Sequence, residues 1–144
     1  MEHMVLSRKQ SVVLVFGVFD GLHNGHRFLL GEARKLGNRL IAAVAQDSVV
    51  AQIKRRPPVH SLAERIKMLE ESRLVDHAVP GDTTLGSWSA VMKWKPNIVA
   101  LGYDQTELEK ELRTFIKKEN LPLAIVKIEA HEGNRLHSRF LRTS

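Results

Sequence analysis

The sequence predicts an α/β fold, a doubly wound five-stranded parallel sheet in a single domain. Three observations carry this expectation. Five short runs of apolar and β-branched residues alternate along the chain with stretches whose apolar positions recur at helical spacing. The runs are apolar almost throughout, which is the pattern of strands covered on both faces. Helix-length segments separate them, as parallel neighbours require, and such crossovers are right-handed.

The first strand is Val12-Val13-Leu14-Val15-Phe16, and it enters Gly17-Val18-Phe19-Asp20-Gly21-Leu22-His23-Asn24-Gly25-His26. A helix is expected from Arg27, with Leu29, Ala33 and Leu36 on its inner face and Gly37 ending it. A strand, a glycine-containing turn and a helix thus meet at two histidines. The first turn of a helix carries unpaired N–H groups and partial positive charge, which suit a phosphate. Gly17 and Gly25 let the backbone approach such an anion, and His23 and His26 then stand beside it as hydrogen-bond donors.

The second strand is Arg39 to Ala45. Asp47 follows it, placed either to reach the carboxyl rim of the sheet, where ligands collect, or, with Ser48, to cap a short helix beginning at Val49. The basic segment Lys54-Arg55-Arg56-Pro57-Pro58 reads as a loop, because paired prolines deny a helix. Ser61 and Glu64 have the spacing of a capping box, with Leu62, Ile66 and Leu69 buried and Arg65 exposed by periodicity. Leu74 to Val79 is the third strand, less apolar and so near an edge. Leu85, Trp88, Val91 and Met92 share a helical face that Lys95-Pro96-Asn97 terminates. The fourth strand, Ile98 to Leu101, runs into Gly102-Tyr103-Asp104-Gln105 at the same rim. An amphipathic helix follows with Leu108, Leu112, Phe115 and Ile116 inward, then a fifth strand, Leu123 to Ile128, and a short helix at Leu136 to Arg142. Residues 1–10 read as a loose leader and 11–144 as the domain.

Composition narrows the function classes. With 144 residues and 43% hydrophobic content, the chain can bury one proper core. It has no apolar run of membrane-spanning length and no signal-peptide pattern, so a soluble, cytoplasmic protein is expected. Zero cysteines exclude disulfides and thiolate metal sites. A net charge of +6 favours anionic partners, while the 6% aromatic content and the lack of an RNA-binding signature argue against a nucleic-acid module.

Gly17, Phe19, Asp20, His23, Gly25 and His26 match the G-x-F-D-x-x-H-x-G-H signature, and the chain resembles the cytidylyltransferase-like nucleotidyltransferases. The Leu101 to Gln105 element is most similar to that of archaeal-type FMN adenylyltransferases (FAD synthases), and glycerol-3-phosphate cytidylyltransferases have a related one. The resemblance implies a Rossmann-like sheet with the first strand central. It also implies transfer of a nucleotidyl group from ATP or CTP to a phosphate-bearing acceptor, FMN before glycerol 3-phosphate or a sugar phosphate, with Mg²⁺ and release of pyrophosphate. A homodimer is the habit of the family, and the basic charge and altered terminal motif leave a non-catalytic nucleotide- or nucleic-acid-binding protein as the remaining alternative.

By the same resemblance His23, His26 and Lys54 are catalytic, and Gly17, Phe19, Asp20, Gly25, Arg65, Gly102 and Asp104 bind or frame the nucleotide. Ser138 and Arg139 hold the β- and γ-phosphates, with His137 where a second hydroxyl residue is usual. Arg55 and Arg56 receive no assignment, and the absence of cysteines departs from archaeal FMN adenylyltransferases. The phosphate-turn setting argues against a zinc site on Asp20, His23 and His26.

Overall fold

The apolar runs become five strands, β1 (Val12–Gly17), β2 (Arg39–Val44), β3 (His77–Pro80), β4 (Ile98–Gly102) and β5 (Ala124–Ile128), in a computed structural model that describes residues 11–84 and 86–129. Between them lie α1 (Asn24–Arg34), α2 (Asp47–Lys54), α3 (Leu62–Ser72), α4 (Ser89–Trp94) and α5 (Thr106–Glu119). The sheet is entirely parallel in the order β3-β2-β1-β4-β5, with β1 central as expected.

Successive β1 side chains serve opposite faces, the period-two rule of a strand. Val13 and Val15 pack with Leu30 and Ala33 of α1 and Leu69 of α3. Leu14 packs with Trp88, Val91 of α4 and Leu112 of α5. Both faces are therefore covered, and Val13, Leu14 and Val15 have no exposed surface at all.

The winding reverses at β1. From there the chain steps outward through β2 to β3, then crosses back to lay β4 on the other side of β1. Pairing with β2 runs the full length of β1, from Val12↔Arg39 to Gly17↔Val44. Pairing with β4 stops early, spanning only Val13↔Ile98 to Val15↔Ala100. Beyond that point the carboxyl ends of β1 and β4 part, and a crevice opens at the place where doubly wound sheets bind ligands.

Several local expectations need correction. Helix α1 begins at Asn24 rather than Arg27, because the His23 ring supplies its cap from within the motif. Gly37 does not end that helix; Lys35 does, and Gly37 is needed because a side chain there would collide with the Ser11 carbonyl. Neither Asp47 nor Ser48 caps α2, whose N-cap is Gln46, and Lys54 belongs to its last turn rather than to a loop. Strand β3 begins at His77, with Val75 packed into the core ahead of it. Trp88 precedes α4 in a left-handed conformation, and Met92 is exposed rather than inward. The capping box of Ser61 and Glu64 forms as expected.

Helices α3, α4 and α5 each end on a non-glycine residue with positive φ, namely Arg73, Lys95 and Asn120. Residues 1–10 and the terminal Ser138, Arg139 and preceding His137 lie outside the described residues, as does Leu85. Among the described residues no helix is long and apolar enough to cross a membrane.

Candidate nucleotide site

A cavity of about 750 Å³ occupies the crevice. Gly17, Phe19, His23, Gly25, His26, Lys54, Gly102 and Asp104 all line it, so residues spread over most of the chain converge there. Asp20 and Arg65 do not line it.

The motif builds its turn from the glycine outward. Phe19 is held at φ 51°, in the left-handed region, and its ring is only 1% exposed. That ring lies against Gly17, where an added Cβ would stand 2.7 Å from two ring carbons. Glycine is thus required at the end of β1 by packing, since no real Cβ tolerates that approach. The Phe19 ring also meets His26, with centroids 5.4 Å apart.

His23 is the N-cap of α1, its Nδ1 accepting from the backbone N–H of Gly25 at 3.0 Å and of His26 at 3.3 Å. His26 stacks on it, ring centroids 3.7 Å apart, with its own Nδ1 at 2.9 Å from the Gly21 carbonyl oxygen. Burial holds the His26 pKa below the usual histidine range, and the neighbouring His23 and Lys54 push it the same way against Gly21 and Asp104.

Asp20 faces away from the cavity and clasps a distant loop. Its carboxylate accepts from the backbone N–H of Val59 at 2.7 Å and of His60 at 2.9 Å, and meets the His60 ring Nδ1 at 2.9 Å. Burial alone would raise its pKa, but these hydrogen bonds together outweigh it and hold the carboxyl below its ordinary value.

Arg65 overturns its helical-periodicity reading: its exposure is 0%. The guanidinium donates to the carbonyls of His60 and Val18 and to the Asp47 carboxylate, at 3.0, 2.9 and 2.6 Å. Periodicity identifies the stripe of α3 that faces the sheet. It has no means of seeing the motif loop and the start of α2 closing over another side of the same turn. Arg65 therefore ties together three segments that support the cavity.

Two residues given no role by the sequence also line the cavity, Gln105 at the end of the Leu101 to Gln105 element and Trp88. Gln105 bridges the parted strands: its Oε1 accepts from Gly102 N–H of β4 at 2.8 Å, and its Nε2 donates to Phe16 O of β1 at 3.0 Å. Trp88, expected in the core, is nearly buried yet forms a cavity wall, edge-on to Phe16 with centroids 5.5 Å apart. Its left-handed backbone was the only local peculiarity, and a tryptophan gives no sign of that.

The cavity lining carries charges of both signs: Lys54 at the end of α2, and Asp82, Asp104, Glu107, Glu111 and Glu129 from the segments after β3, β4 and β5. Phosphates suit Lys54 and the start of α1; hydroxyl and amine donors suit the carboxylates. Among the described residues no group of three His, Cys, Asp or Glu is placed to hold a metal ion.

The model of the Cytidylyltransferase-like family matches residues 14–142. This chain belongs to the cytidylyltransferase-like family. The FAD synthase of Thermococcus sibiricus is 36% identical over 121 residues, 84% of this chain and 82% of that one. The FAD synthase of Thermoplasma volcanium is 36% identical over 130 residues, covering 90% of each. Among solved structures, one described as the lipopolysaccharide core biosynthesis protein from Thermoplasma volcanium shares 35% identity and a TM-score of 0.77, over 85% of this chain and 99% of that one.

Proposed function

We propose that this protein is an FMN adenylyltransferase, which transfers AMP from ATP to FMN and releases pyrophosphate. The observation that carries the proposal is the stacked pair His23 and His26 at the start of α1, opening on a cavity at the switch point of the sheet. The FAD synthase relatives support adenylyl transfer over cytidylyl transfer.

The reaction is an in-line displacement. A phosphate oxygen of FMN attacks the α-phosphorus of ATP, a new P–O–P link forms, and the bond to the bridging oxygen of pyrophosphate breaks with its electron pair. The attacking phosphate is already ionised at neutral pH, so positioning and charge stabilisation matter more than a strong base. A helix N-terminus supplies about 0.3–2 kcal/mol, against the roughly 8–23 kcal/mol that enzymes remove from barriers. Side chains must provide much of the difference.

His23 and His26 serve the α-phosphate, and Lys54 draws the triphosphate toward α2. Gly17 and Gly25 let the backbone come close, and Phe19 sets the depth of the histidine pair. Asp20 and Arg65 hold the motif loop from behind, while Gly102 and Asp104 stand by the nucleoside. Ser138 and Arg139 complete the triphosphate contacts by the family pattern. Mg²⁺ fits this site as an ion carried by the phosphates, since it keeps several waters and needs few protein ligands, and it neutralises phosphate charge.

The test is pyrophosphate release with Mg²⁺, pairing ATP or CTP with FMN or glycerol 3-phosphate. Release with ATP and FMN is expected. Release with CTP alone would move the protein to the cytidylyl branch, and no release from any pair would overturn catalysis of this kind. In the active pair, His26→Asn should lower kcat about 10²–10³-fold with the fold intact, the usual cost of losing one donor to developing charge.

A further inference from the structure

The two motif histidines differ in which ring nitrogen is already engaged. Two N–H donors, from Gly25 and His26, converge on Nδ1 of His23. That atom carries no proton while the cap holds, so the neutral ring bears its proton on Nε2. His26 is the reverse case. Its Nδ1 lies 2.9 Å from the carbonyl oxygen of Gly21, which only accepts, so Nδ1 bears the proton and Nε2 keeps a lone pair. The His23 backbone N–H also points at this Nδ1, but at 3.4 Å and toward a protonated nitrogen it is a contact rather than a hydrogen bond.

We propose that His23 stands ready to donate from Nε2 in the resting protein, whereas His26 becomes a donor only by taking up a proton from solvent as the triphosphate binds. This deepens the proposed function and rests on it. Phosphoryl oxygens are acceptors, so a neutral His26 would turn a lone pair toward them. A proton on Nε2 converts that repulsion into a charge-assisted hydrogen bond. Nothing else in the ring changes, since Nδ1–H keeps its bond to Gly21.

The resting surroundings oppose the extra proton. Burial acts against it, as do His23 on the same helix and Lys54 at the end of α2; the Gly21 carbonyl and Asp104, after β4, favour it, and the net direction is downward. The Phe19 ring, packed at 5.4 Å, carries no charge. A triphosphate brings several negative charges to this point and reverses the balance. The proton returns to solvent when pyrophosphate and the dinucleotide leave, so the cycle is balanced.

Long-range proton–nitrogen correlation NMR distinguishes the two neutral tautomers from the imidazolium. Spectra are taken on the free protein and with Mg²⁺ and a non-hydrolysable ATP analogue, and His23→Asn and His26→Asn assign the signals. Asparagine is itself a good N-cap, so the first variant keeps the start of α1. The free protein should show opposite tautomers at His23 and His26. With the analogue bound, His26 should show both nitrogens protonated and His23 should be unchanged. Matching tautomers in the free protein, or a saturated complex in which His26 keeps a single proton, would overturn the inference. Calorimetry of analogue binding in buffers of different ionisation heat supplies a second readout: His26→Asn should remove proton uptake that the parent shows. An analogue that does not bind at all overturns the proposed function and the uptake with it, while the tautomer spectra of the free protein are judged separately.

Discussion

Replacing Arg65 by methionine separates a scaffold role from a ligand role at this position. The substitution keeps a long side chain but removes the donors to Val18 O, His60 O and Asp47. Asp47 is 51% exposed and recovers water, so its loss is the smaller one. The two carbonyls are part-buried, and each unsatisfied group of that kind costs about 1–3 kcal/mol. Against a total stability of about 5–15 kcal/mol, the variant should fold but be visibly weakened. With a urea m-value of about 2 kcal/mol/M, the midpoint should fall by roughly 2 M. Tryptophan fluorescence across a urea series measures this, and Arg65→Lys should recover part of the loss. An unchanged midpoint combined with weaker ATP binding would refute the reasoning, because it would make Arg65 a nucleotide ligand and not a brace.

Three further outcomes follow from the geometry. Gly17→Ala forces a Cβ to within 2.7 Å of the Phe19 ring; overpacking of about 1–3 kcal/mol should lower Tm by several degrees and reduce kcat/KM by displacing His26, and calorimetry beside steady-state kinetics checks both. Asp20→Asn tests the clasp on Val59 and His60 through pH. Because the folded carboxyl titrates below its unfolded value, its stabilisation is complete above about pH 4 and is lost as pH falls through the folded pKa. The stability gap between parent and variant should therefore be constant from neutral pH to about pH 4 and close below it, and a gap that persists into strong acid would count against the clasp. Gln105→Leu leaves Gly102 N–H and Phe16 O unpaired; amide exchange at Gly102 should accelerate and KM for ATP rise, whereas unchanged exchange would show that the bridge contributes nothing.

The parts of this site legible in the sequence are those written locally. The run Val12 to Phe16 is apolar enough to be a buried strand, and the fixed spacing of Gly17, His23, Gly25 and His26 marks the turn that lines the cavity. Parallel-sheet rules place the ends of β2 and β4 on the same rim, whereas Lys54 is singled out by the family resemblance alone; both Lys54 and Asp104 line the cavity. What stayed hidden is joined across long stretches of chain. Asp20 meets His60 across 40 positions, Arg65 reaches Val18 across 47, and Gln105 reaches Phe16 across 89. No window of periodicity spans such distances. The start of α1 was misplaced for a different reason: histidine is not among the usual capping residues, so the cap was overlooked while the residue itself was singled out for chemistry.

The left-handed residues Arg73 and Lys95 stand where α3 and α4 hand over to β3 and β4, at the amino rim of the sheet. Every group assigned to the cavity sits at the opposite rim. A side chain in that conformation costs about 1 kcal/mol or more relative to glycine, so the molecule keeps an unused margin of thermal endurance at the end of the sheet farthest from its ligand. Glycine at Arg73 or Lys95 would therefore add to stability at a rim that carries none of the cavity-lining residues.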